Sequence, residues 1–93
     1  MAAKYALRRK RERLIKRIND HMDFLIGSVA TKSQSTPTFN LTSTIDGVTK
    51  SRYIPKALVE DVRSMTKRHK TLKLLIKELG DVNWELVHMG EEL

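Results

Sequence analysis

Lys4, Arg8, Arg9, Lys10, Arg11, Arg13, Lys16 and Arg17 put eight basic side chains into the first 17 positions, against one acid, Glu12. Cations at this density suit the phosphates of a polyanion. Each neutralised phosphate releases a condensed counterion, so affinity is gained without any base being read. The four arginines from Arg8 to Arg13 also offer planar forks that can grip a phosphate or a guanine edge at two points. Eight cations less one anion already account for the whole formal charge of +7. The rest of the chain holds ten basic and ten acidic residues and sums to zero. The excess is thus a property of one end, and it is the electrostatic footprint expected of a nucleic-acid partner. The competing reading is a solvated basic tail. Membrane-surface binding is disfavoured, because no Trp- or Phe-rich apolar face accompanies the charge.

Lys50 and Arg52, beside Tyr53, form a second basic group. On a two-stranded ribbon they could follow a nucleic-acid backbone or groove. They could equally discourage edge-to-edge aggregation of a sheet. A third stretch, from Arg63 to Lys77, holds six basic residues and no acid, and the acids Glu78, Asp81, Glu85, Glu91 and Glu92 follow it. It reads mainly as a solvated helix face or a surface pairing with acids.

No catalytic constellation accompanies these groups, and neither an enzyme nor a bound cofactor is expected. There is no glycine-rich phosphate loop and no nucleotide fingerprint. The chain has no cysteine, which removes thiol catalysis, disulfides and Cys-based zinc sites. His21, His69 and His88 are scattered at spacings that match no metal site, and none is expected. Trp84 reads as a packing residue rather than a stacking platform for bases.

Elements must position these residues. Residues 1–29 read as a basic N-terminal helix of good helix formers. Ile15, Ile18, Met22, Leu25 and Val29 have 3-4-3-4 spacing, the pattern of a packing seam, and Leu14 and Ile26 widen that stripe. Continued backward, that register meets Arg11 and Arg8. The C-terminal half of the helix is therefore expected to pack and the N-terminal half to project or meet something anionic. Gly27-Ser28 would end or kink it. Residues 30–38 are small and polar and read as a loop. Residues 39–54 read as a β-hairpin about Asp46-Gly47, a type I′ signal. That register pairs Thr44 with Thr49, Leu41 with Arg52, Asn40 with Tyr53 and Phe39 with Ile54. Pro55 opens a C-terminal helix over residues 55–90. Its seam, in 4-3-4-3 spacing, runs Leu58, Val62, Met65, His69, Leu72, Ile76, Leu79, Asn83 and Leu86. It crosses Gly80 without a slip, which favours one continuous helix.

From Gly27-Ser28-Val29 onward, the chain resembles a small, functionally uncharacterised prokaryotic family. The resemblance rests on Pro37 with Phe39-Asn40-Leu41, on the run from Asp46 to Lys56, on Leu58 to Val62, and on Leu72 to Leu79 and Asn83 to Leu86. It covers about two thirds of the chain. Members look like helix–hairpin–helix proteins often encoded near transposases and other mobile elements. They usually carry a Cys- and Gly-rich insertion before the proline, where this chain has the cysteine-free stretch Thr31 to Thr36. The resemblance implies an architecture and a mobile-element setting.

The sequence therefore predicts a single α+β domain, mostly helical: a long basic helix, a β-hairpin, and a long C-terminal helix packed with the first as an antiparallel pair. The expected function is nucleic-acid binding, with double-stranded DNA favoured over RNA, by a cytoplasmic accessory protein of a mobile element or phage. The alternative is an interaction module, an assembly factor or inhibitor that binds a larger protein. A homodimer or larger partner is expected through Leu58, Val62, Met65, Leu72, Ile76, Leu79 and Leu86. No apolar run reaches the roughly 20 residues needed to span a bilayer.

Overall fold

The computed structural model describes residues 2–32 and 37–90. Its elements, in chain order, are a helix α1 (Ala2–Asn19), a strand β1 (Ser28–Lys32), strands β2 (Thr38–Ile45) and β3 (Val48–Ile54), a 3-10 turn (Lys56–Leu58) and a helix α2 (Val59–His88). The fold is α+β, with two helices and one antiparallel sheet of order β1-β2-β3. The chain divides into two compact units, Met1–Met22 with Lys70–Leu93, and Asp23–His69.

The hairpin has the expected register, with Leu41 opposite Arg52, Asn40 opposite Tyr53 and Phe39 opposite Ile54. Asp46 and Gly47 both take positive φ, 53° and 77°, as a type I′ turn requires. The hydroxyls of Thr44 and Thr49 close the tip across the strands at 2.8 Å. The N-terminal helix and the loop after it need correction. The first helix ends at Asn19 rather than near Val29, and residues 28–32, partly assigned to helix and partly to loop, form a third strand on β2. Residues 33–36 of the expected loop lie outside the described residues. Asn19-Asp20 brings side-chain acceptors that compete with helical backbone bonds. The His21 Nδ1 donates to the Arg17 carbonyl at 2.7 Å, satisfying one of the last-turn acceptors. Gly27 then turns the chain at φ +134°, so close to β2 that a Cβ there would stand 2.5 Å from the Thr42 carbonyl oxygen. Only glycine allows β1 to approach β2 this way.

In the second unit, paired residues share one face of the sheet. Leu41 and Ile54 are buried there with Val59, and Leu25, Val29, Phe39 and Val62 pack around them. The segment after α1 is fastened to α2. The Leu25 N–H donates to the Met65 carbonyl at 3.1 Å, Asp23 pairs with Arg68, and Phe24 stacks on His69 with ring centroids 5.3 Å apart. His69, a polar interruption of the expected seam, is thus used as an aromatic partner.

In the first unit the core is Leu14, Leu75, Val82 and Leu86, with Leu7, Ile18 and Leu79 against it. The expected seams therefore hold in part: Ile18, Leu72, Leu79 and Leu86 pack as expected, while Leu14 is buried in place of Ile15, and Leu75 and Val82 in place of Ile76 and Asn83. On α1 the packed stripe is Leu7, Leu14 and Ile18, so the basic N-terminal half of the helix does not project but packs. On α2 the stripe runs Leu72, Leu75, Leu79, Val82 and Leu86. Ile76 is turned outward, at 53% exposure, while Leu86 is 1% exposed. α2 is continuous through Gly80, as its register implied. Glu60 and Asp61 lie in its first turn, where they complement the helix dipole.

Candidate nucleic-acid interface

The basic residues of α1 are sorted by the stripe that the helix buries. Residues three and four apart share a helix face. Leu7, Arg11, Leu14 and Ile18 lie on the inner face, and Arg9, Arg13 and Lys16 lie opposite, with Arg17 at their flank. Arg11 is half-buried, and its Nε donates to the Asn83 Oδ1 at 3.0 Å. Lys10 stands 3.9 Å from a Glu78 carboxylate oxygen. Lys4 is half-buried, and Lys4 and Arg8 both engage in interactions within the structure. Arg9 is exposed, with its guanidinium 5.7 Å from the centre of the Tyr5 ring. Arg13, Lys16 and Arg17 are exposed and, among the described residues, make no ion pair. Of the eight expected phosphate ligands, four thus form one outward patch. Arg11 and Lys10 are tied to α2 instead.

Lys50 and Arg52 are brought to one face of β3, opposite Ser43 and Leu41. Both are exposed. They border an open depression of about 390 Å³ near the hairpin tip, together with Ile45 and Val48. β3 is an edge strand, so the geometry also fits protection of the edge by charge. The opposite face bears hydroxyls and amides, among them Asn40, Thr42, Thr49 and Ser51, with Tyr53 exposed.

The expected partner surface on α2 is mostly spent inside the chain. Leu72 and Leu86 are buried, Val62, Met65 and Leu79 are half-buried, and only Leu58 and Ile76 face outward. Trp84 is not a packing residue. It is 63% exposed, and its ring lies 4.6 Å from that of His88. Asn83, which reads as a polar interruption of the seam, is the acceptor for Arg11. That pairing was visible only as two polar residues, each falling on an apolar register. Among the described residues, no helix is long and apolar enough to cross a membrane, and no group of three or more His, Asp and Glu could hold a metal ion.

The chain matches no family model, no curated protein and no solved structure.

Proposed function

We propose that this protein is a non-enzymatic, cytoplasmic nucleic-acid-binding accessory protein, and that the outward face of α1 is its principal contact. One observation carries the reading. Arg9, Arg13, Lys16 and Arg17 lie together on the solvent side of a helix whose opposite stripe is held by packing, and none of the four has an acidic partner among the described residues. A packed helix presents these cations with less ordering cost than a loose tail would. The two helices are read as an antiparallel pair. Lys50 and Arg52 add a separate, weaker contact. Duplex DNA is favoured over RNA, since a backbone-directed helix suits the regular array of phosphates along a duplex. The resemblance to proteins encoded near transposases supports a mobile-element or phage setting.

The test is binding of the full chain to mixed-sequence duplex DNA and to single-stranded RNA over a salt series. Four phosphate contacts give a log–log slope of about −3.6 on duplex DNA. A slope near −7 would mean that all eight basic residues bind phosphate, against the inward placement of Arg11. No binding by the folded chain at low salt overturns the reading. A protein-interaction module then becomes the better account, and the exposed apolar residues Leu74, Ile76, Trp84 and Val87 of α2 favour it.

A further inference from the structure

α2 carries a second apolar row, separate from the stripe it buries. Ile76, Gly80 and Trp84 follow one another at four-residue spacing and Val87 lies alongside, so that they share one face. All four are exposed. Gly80 is conspicuous at the centre of this row. Glycine weakens a helix interior, yet the fold of this chain does not require it. A Cβ built at Gly80 meets nothing within 4 Å, and its φ is not positive. A gap flanked by Ile76 and Trp84 is a surface that lets the backbone of another helix approach closely. Rows at four-residue spacing are the ridges that interdigitate when helices pack.

The neighbouring row identifies the other helix. Lys73, Lys77, Asp81 and Glu85 also succeed one another every four residues, basic before Gly80 and acidic after it. All four are exposed and, among the described residues, make no ion pair. We propose that a second copy of this chain packs on this face of α2, antiparallel, with a two-fold axis passing beside Gly80. A two-fold interface is self-complementary. Here it sets Lys73 and Lys77 of one copy beside Asp81 and Glu85 of the other, and Ile76 opposite Trp84. A parallel arrangement sets like charges together and is disfavoured. The stripe that packs against α1 is untouched, so dimerisation does not compete with folding. The proposal does not depend on nucleic-acid binding.

Sedimentation equilibrium of the full chain up to about 1 mM tests it. The mass doubles with concentration, and the emission of Trp84, the only tryptophan, shifts to the blue with the same midpoint. Gly80→Leu fills the gap and weakens association by about tenfold or more, while circular dichroism shows the helices retained. Lys73→Glu/Lys77→Glu makes the charged row wholly acidic, and Asp81→Lys/Glu85→Lys makes it wholly basic. Each variant alone is monomeric, and an equimolar mixture associates. A native chain that stays monomeric to about 1 mM overturns the proposal. So does a dimer whose strength is unchanged in Gly80→Leu, or one that both charge variants form as well as the native chain.

Discussion

Arg11 and Asn83, 72 positions apart in the chain, are joined by a 3.0 Å hydrogen bond from the guanidinium Nε to the amide oxygen. The bond takes one arginine out of the basic cluster and makes it part of the join between α1 and α2. Arg11→Ala is expected to destabilise the protein by about 1–2 kcal/mol, at and below the low end of the range for a bond to a charged group because this one is only half-buried. A double-mutant cycle with Asn83→Ala in urea melts should return a coupling above about 0.5 kcal/mol. Additive losses would mean that the bond contributes nothing.

Leu75 and Ile76 are adjacent in sequence and opposite in role, and the pair tests the register of α2. Leu75→Ala should cost about 2–4 kcal/mol, as cavities in packed cores do. Ile76→Ala, at an exposed helical position, should change monomer stability by about 0.5 kcal/mol or less, provided that it is measured in dilute solution. The reverse order would restore the seam expected from sequence.

Gly27 has to stay glycine. Gly27→Ala should destabilise by about 2 kcal/mol or more, since the positive φ and the clash with the Thr42 carbonyl act together. Gly47→Ala, at φ +77° with open space around it, should cost only about 1 kcal/mol. Hydrogen exchange at the β1 amides reads the difference: protection there should fall in Gly27→Ala and persist in Gly47→Ala.

Arg13→Ala/Lys16→Ala should lower the salt slope on duplex DNA by about 1.8, roughly 0.9 for each lost contact, without changing the melting midpoint. Arg11→Ala should leave the slope nearly unchanged while lowering stability. Equal slope losses for both variants would show that the inner and outer faces of α1 do not differ in binding.

Sequence made some of these features legible and hid others for identifiable reasons. The hairpin register could be read because Asp46-Gly47 is a local signal whose geometry fixes every later pair. The extent of α2 could be read because its apolar period persists for eight turns. The side of α2 that packs could not. Leu72, Leu79 and Leu86 belong to two interleaved stripes, one through Leu75 and Val82 and the other through Ile76 and Asn83. Both have three-four spacing. The partner stripe on α1 decides between them, and its own centre is not fixed by sequence, because the adjacent Leu14 and Ile15 are equally apolar. β1 is five residues, Ser28 to Lys32, with one core residue, Val29, whose spacing also fits the helix seam before it. Its pairing depends on the close approach at Gly27, a tertiary contact rather than a local preference. The eight N-terminal cations were legible as a cluster, but their division into inward and outward sets needed the position of Leu7 and Leu14.

The first unit has a consequence for how the chain is made. Its core joins residues near the start, Leu7 and Leu14, to Val82 and Leu86 near the end. Synthesis delivers α1 first, and its apolar stripe has nothing to cover it until the second half of α2 has emerged. The Asp23–His69 unit, by contrast, closes over shorter distances in sequence and can assemble earlier, shortening the loop that α1 must span to meet its partner. Through that interval the α1 segment carries eight cations and an apolar stripe that nothing yet covers. It is then most exposed to whatever anionic or apolar surface lies nearby, the ribosome's own RNA included.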